Sequence, residues 1–171
     1  RSRLVLTTSG VWLYGSTGDE AKDEASPIDL LPLVAPRPAI DERVLEVSGG
    51  RLRTLVIRPG CVYGGSGSMT GFWFGSAVDE GAARIVGDGA NRWAMVHIED
   101  LARLYVLAAE STLGGEVLNA TDRSRFTVRE CAIAASRAAG AGGAVVETPY
   151  ADAVTRYGPL AQGLAVIAAA A

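Results

Sequence analysis

Four short stretches hold the side chains that could do chemistry. Thr7-Thr8-Ser9-Gly10 sets hydroxyls at the end of an apolar run, and Arg58-Pro59-Gly60-Cys61-Val62-Tyr63-Gly64 carries a thiol. Gly89-Ala90-Asn91-Arg92-Trp93 puts a guanidinium beside an indole, and Val96-His97-Ile98-Glu99-Asp100 contains the single histidine. A hydroxyl at the carboxyl end of a strand can donate to a substrate carbonyl or alcohol, because open α/β sheets bind ligands there. It can equally satisfy local backbone groups in a turn. Arg92 can clamp a phosphate or carboxylate while Trp93 stacks on a ring. The commoner arrangement is a half-exposed Arg–aromatic pair covering an edge. A lone His between Val96 and Ile98 reads as a hydrogen-bonded structural residue. No metal site is expected, since no second His or nearby Cys completes a ligand set. Nothing in the spacing brings Cys61 and His97 together as a thiolate pair. Asp100 reads as a helix-start residue.

Gly15-Ser16-Thr17-Gly18-Asp19-Glu20-Ala21 follows a strand and is the one candidate for a phosphate-binding turn. Asp19 and Glu20 would place two carboxylates where a pyrophosphate must sit, and Pro27 leaves little room for the helix that has to follow. A surface loop is the expectation, continuing as a charged, solvated segment to Ser26.

The elements that must position these groups read as α/β. Leu4-Val5-Leu6 and Leu55-Val56-Ile57 are continuous apolar runs, as in strands covered on both faces. Between them Pro38 suits a first helical turn, Asp41 and Glu42 favour the positive helix end, and Ile40, Val44 and Leu45 form an apolar stripe that Gly49-Gly50 ends. Strand, helix, strand makes a parallel crossover, with Val5, Leu45 and Val56 expected in one core. Gly64 to Gly75 reads as loop, Ala83 to Gly87 as a strand closed by the turn Asp88-Gly89, and Glu116 to Ala120 as another strand. Glu99 to Glu110 is apolar nearly all round and predicts a buried helix. Thr127-Val128-Arg129-Glu130 has the spacing of a capping box, opening a helix that Gly140 stops.

Composition excludes several classes of protein. The 171 residues are 49% hydrophobic and 20% charged, enough for one domain with a sizeable core and a small lobe. Sixteen basic and nineteen acidic residues give a net charge of −3 without a basic stripe, so no nucleic-acid partner is expected. Two unpatterned cysteines suit a reducing, cytoplasmic setting. The apolar tail from Leu160 is broken by Gln162 and Gly163 and is shorter than the roughly 18–20 residues of a membrane span, so it reads as a core helix.

Thr8-Ser9-Gly10-Val11-Trp12, Arg37-Pro38-Ala39-Ile40-Asp41-Glu42-Arg43-Val44-Leu45-Glu46, Arg58 to Gly64 and Val96 to Ala102 together resemble the NAD-dependent epimerase/dehydratase family. That family is the extended and atypical branch of the short-chain dehydrogenases, and the resemblance runs from Leu4 to about Leu164. It implies the second half of a Rossmann-like parallel sheet in residues 1–64. Residues 65–171 would then combine a small substrate-binding lobe with returning Rossmann elements. It further implies catalytic assistance from Ser9 or Thr8. The backbone of Pro59, Gly60, Cys61 and Val62 would line a nicotinamide pocket, with Arg92 and His97 toward a small-molecule substrate. The cofactor would be NAD or NADP in a full-length parent, the substrate a carbonyl, alcohol or nucleotide-sugar-like compound, and the partner a second copy meeting the helix around Ile40 to Glu46.

Two departures accompany the resemblance. The family's Tyr-x-x-x-Lys stands before a Glu four residues past the Lys, and anchoring on Glu42 puts Val34 and Pro38 at those positions, removing the proton relay. The strands carrying Gly-x-x-Gly-x-x-Gly are not in this chain, which therefore reads as the carboxy-terminal part of such a protein, binding no dinucleotide tightly by itself. The alternatives are a dinucleotide-binding sensor or scaffold without catalysis, or an inactive remnant.

Overall fold

Every pairing between named strands is parallel, so each strand must be reached by a crossover rather than a hairpin. The computed structural model describes residues 3–18, 20–65 and 67–165. In chain order these form β1 (Arg3–Thr8), a 3-10 turn (Val11–Tyr14), a second such turn (Pro32–Val34), α1 (Arg37–Glu46), β2 (Leu52–Pro59), β3 (Cys61–Tyr63), α2 (Gly71–Glu80) and β4 (Ala83–Val86). They continue with β5 (Met95–His97), α3 (Ile98–Glu110), β6 (Glu116–Ala120), α4 (Val128–Ala138), β7 (Val145–Thr148), α5 (Tyr150–Tyr157) and α6 (Leu160–Ala165). Among the described residues no helix is long and apolar enough to cross a membrane.

The expected crossover from Leu4 to Ile57 is present, with Leu6 opposite Leu55 and Thr8 opposite Ile57. β2 lies between β1 and β6, and from Thr54 to Pro59 it is buried throughout. Leu55 and Ile57 face a core completed by Val96, Leu101, Ala108 and Ala120. Because side chains alternate along a strand, Val56 and Arg58 turn the other way, toward α1. A second core joins α2, β4, α4 and the last two helices around Trp73, Ile85, Trp93, Ala132 and Leu164. The capping box is formed, Thr127 taking the Glu130 N–H while the Glu130 carboxylate accepts from Thr127 N.

Several expectations about burial are corrected. Val5 is 44% exposed, because β1 is the edge strand and nothing described covers that face. In α1 the inward residue is Asp41, while Ile40 is exposed and Leu45 only half-buried. Helix α3 buries Leu101 and Ala108 alone, leaving Val106 56% and Leu107 63% exposed. The loop expected up to Gly75 ends at Thr70, just before α2. The charged segment before Ser26 is exposed as expected, though the Glu24 carboxylate accepts from Asn119 N and ties it to the edge of β6. The apolar tail is helical from Leu160 to Ala165, and its remaining residues lie outside the described ones.

The chain changes neighbours at Gly60. Its N–H still donates to the Ala120 carbonyl, at the end of β6, but the next N–H, that of Cys61, donates to Ala94 ahead of β5. A methyl group on Gly60 would stand 2.4 Å from the Ala94 carbonyl oxygen, so glycine alone allows the two backbones to pass this closely. Gly60→Ala should therefore lower stability by about 1–3 kcal/mol in urea denaturation, the usual cost of overpacking where backbone cannot yield. A variant as stable as the parent would show that β3 can shift away from β5.

Candidate active site

Strands that part leave a crevice beyond their carboxyl ends, and α/β sheets bind ligands in such crevices. Here a cleft of about 400 Å³ opens past β1 and β2. Ser9, Trp12 and Arg37 form one side, and Pro59, Cys61 and Met69 the other. Gly60, Val62 and Val34 complete its walls, so the structure gathers Ser9 with the whole Pro59–Val62 segment.

Beneath this cleft lies a network of buried charge. Arg58 and Asp41 are 5% and 2% exposed, and both Nε and Nη2 of Arg58 donate to Asp41 Oδ2 at 3.3 Å. Ser9 Oγ donates to the same oxygen at 2.8 Å. Nη1 of Arg58 donates to the Tyr14 hydroxyl at 3.0 Å, which in turn donates to Asn119 Oδ1 at 3.0 Å. The Tyr14 ring also faces the guanidinium, 5.5 Å from its centroid. Removing two charges from water is repaid only by such close, multiple partners. Sequence reading placed Asp41 at a helix end and missed the pair. The available signal was Arg58 itself, an obligatory cation directly after the apolar run Leu55–Ile57, which needs a buried acid.

The two candidate hydroxyls part company. Thr8 Oγ1 is hydrogen-bonded to the Tyr105 hydroxyl on α3, and the Thr8 carbonyl accepts from Arg37 Nη1 at 3.2 Å. Ser9 stays in the cleft wall. With its proton directed to Asp41, its oxygen meets a cleft ligand as an acceptor.

A second cavity, about 730 Å³, shares Gly67 and Ser68 with the first. Tyr63, Asp122 and Cys131 stand on one part of its wall, and Trp73, Phe74 and Phe126 on another. The Tyr63 hydroxyl donates to Asp122 Oδ2 at 3.4 Å, and burial, then the neighbouring carboxylate, hold its pKa above the ordinary phenol value. His97 lines neither cavity. Its ring meets Tyr63 edge-on at 5.1 Å, and its Nδ1 accepts from Glu99 N at 3.3 Å, capping α3. That cap replaces the one expected of Asp100, whose carboxylate pairs with Arg103 at 3.2 Å. Arg92 also lies outside both walls, with Nε donating to the Arg125 carbonyl at 3.0 Å. Trp93 is buried rather than half-exposed, stacked on Trp73 at 5.1 Å. Among the described residues no helix starts directly after Gly15–Gly18; the next helical turn begins at Pro32.

No family model matches the chain. An uncharacterized protein of Schizosaccharomyces pombe is 28% identical over 132 residues, which are 76% of this chain and 44% of that protein. Among solved structures, the dTDP-glucose 4,6-dehydratase DesIV of Streptomyces venezuelae, with NAD bound, superposes with a TM-score of 0.75 at 23% identity. The match covers 85% of this chain and 47% of DesIV. Human epimerase family protein SDR39U1, with NADPH, gives a TM-score of 0.78 at 24% identity over 94% of this chain and 54% of its own. The chain carries the Rossmann-like fold of these proteins. The UDP-glucose 4-epimerase of Thermus thermophilus, with NAD, has it too, at 23% identity and a TM-score of 0.71. The chain spans about half the length of each of these structures.

Asp41→Ala and Arg58→Ala should each cost about 3–5 kcal/mol, because each strands the partner's charge, while Asp41→Leu/Arg58→Leu together should cost less than either single change. Urea denaturation of the four proteins tests this, and additive losses would mean that the two residues act separately. The Cys61 thiol is pushed up to about 12 by burial, reinforced by nearby Cys131. Iodoacetamide at pH about 8 should thus leave Cys61 unmodified in the folded chain and label it once unfolded. The neutral thiol favours the folded state fully below pH 9 and loses that contribution as pH rises toward 12, so Cys61→Ala should flatten the alkaline fall in stability.

Proposed function

We propose that the chain is the nicotinamide-facing and substrate-facing part of an atypical NAD(P)-dependent epimerase/dehydratase-like oxidoreductase acting on a carbonyl or alcohol. The observation that supports this most is the first cleft, where Ser9 and the Pro59–Val62 segment meet at the carboxyl ends of parallel strands. Its apolar walls at Trp12, Leu13 and Met69 suit one face of a flat ring. They do not suit a pyrophosphate: among the described residues Arg37 is the one cation lining the cleft, and no helix starts between Gly18 and Pro32. When bound, the dinucleotide supplies hydride transfer. The residues of this chain would hold the ring, keep Ser9 fixed through Asp41 and exclude water.

The acid that turns inward is Asp41, whereas Glu42 is exposed. Taking Asp41 as the anchor moves the Lys position from Pro38 to Arg37 and the Tyr position from Val34 to Leu33. Arg37 then supplies a fixed positive charge in the cleft wall, but a guanidinium does not titrate and Leu33 has no proton to give. This favours, as a second reading, a dinucleotide-binding relative without turnover.

Titration followed by tryptophan fluorescence tests the assignment, because Trp12 lines the cleft. Reduced nicotinamide mononucleotide and NADPH should bind competitively with dissociation constants within about tenfold of each other, near the millimolar range. NADPH binding about a hundredfold tighter would reveal a pyrophosphate site within this chain. Failure of the two to compete would remove the nicotinamide from this cleft.

A further inference from the structure

The larger cavity has a chemical character of its own. We propose that it binds an uncharged, largely apolar ring compound bearing a hydroxyl, and that it rejects phosphorylated and nucleotide-linked molecules. As a statement about the substrate this rests on the function proposed above; as a statement about binding it does not.

The first argument is charge. Among the described residues lining the cavity there is no Lys or Arg, and the one carboxylate is Asp122. A diphosphate held there would give up its hydration beside a like charge, with no guanidinium or ammonium to replace the water, an arrangement that buried anions do not tolerate. Arg92, to which the family resemblance would assign a substrate phosphate, is directed to the Arg125 carbonyl and is absent from the wall.

The second argument is the distribution of apolar and polar groups. Trp73, Met95 and Ala135 make a buried floor, and the rings of Phe74 and Phe126, 43% and 62% exposed, stand at the rim. Single exposed aromatics are ordinary, but two flanking the mouth of one apolar cavity form a surface that a ring can cover. The volume, about 730 Å³, lies in the range of pockets that enclose a small organic molecule.

The third argument concerns the polar end. Asp122 Oδ1 already accepts from the Ser124 N–H at 2.9 Å and from the Ser124 hydroxyl. Among the described residues Oδ2 receives only the long 3.4 Å bond from Tyr63. A carboxylate oxygen has room for a second donor, so this end selects a ligand that offers an O–H. The stacked Trp73–Trp93 pair fixes the opposite wall, which sets the plane available to the ring.

Isothermal titration of the full chain, without dinucleotide, with 2-naphthol and with uridine diphosphate glucose tests the proposal. Naphthol should saturate, and the sugar nucleotide should give no binding heat over the same concentrations. Ala134→Phe fills the cavity from an exposed position on α4, and Phe126→Ser removes an exposed rim ring. Each should weaken naphthol by about tenfold or more, as expected for an anchoring contact. Thermal melts identify whichever variant remains folded, and either one decides the question. Sugar-nucleotide binding as tight as naphthol, or naphthol affinity unchanged in a folded variant, would overturn the proposal. Failure of the nicotinamide test in the first cleft would leave this binding result standing.

Discussion

Arg58 and Asp41 hold this structure to one arrangement. Two charges taken almost wholly out of water tolerate little displacement, because each lost contact leaves an unpaired ion in a low-dielectric interior. Their partners come from five places in the chain: the end of β1 at Ser9, the 3-10 turn at Tyr14, α1 at Asp41, β2 at Arg58 and β6 at Asn119. Apolar contacts could hold these elements together with some freedom to slide, whereas directional hydrogen bonds to a buried ion set their register. The pair thus acts through placement more than through net stability, since ion pairs of this kind gain little over well-packed apolar residues.

The first cleft is a direct result of that placement. Ser9 is drawn toward α1 by Asp41, while Thr8, one residue earlier on the opposite side of the strand, is drawn toward α3 by Tyr105. The strand end is therefore tied on both sides and cannot close over the space beyond it. Across that space the chain passes from β6 to β5 at Gly60, where only a residue without Cβ fits beneath the Ala94 carbonyl. Gly163 plays a similar part on the far side, since a Cβ there would stand 2.5 Å from the Trp12 ring. The last helix thus rests directly on the indole that walls the cleft.

The two cavities differ in charge although they share Gly67 and Ser68. One has a guanidinium in its wall and the other a carboxylate, and the thiols that stand in them, Cys61 and Cys131, are both held neutral by burial. Neither cysteine has the electropositive surroundings that make a nucleophile. Nucleotide sugars appear in the names of the solved relatives, yet the fold alone is common to them at these identities, and folds host many sites.

The sequence by itself determined the first parallel crossover and several later elements, but not α2, β3, β5, β7 or α5. The apolar runs at Leu4–Leu6 and Leu55–Ile57 made parallel strands, Thr127 and Glu130 made a capping box, and Ser9 with Pro59 to Val62 pointed to one site. The first two rest on spacing within a few residues, where backbone geometry dictates which side chains share a face, and the third on the family resemblance. What covers a face was decided only by tertiary structure. Val5 and the Val106–Leu107 part of α3 carry apolar patterning but remain exposed, while Asp41 is polar and buried, because burial depends on the neighbour and not on the residue. The bonds that build the site join residues far apart in the chain, Ser9 to Asp41 across 32 positions, Thr8 to Tyr105 across 97 and Tyr14 to Asn119 across 105. No local periodicity records such partners. They exist because folding closes those loops and brings these particular groups within hydrogen-bond reach, although among the described residues Asp41 Oδ1 and Thr54 Oγ1 are buried without a partner.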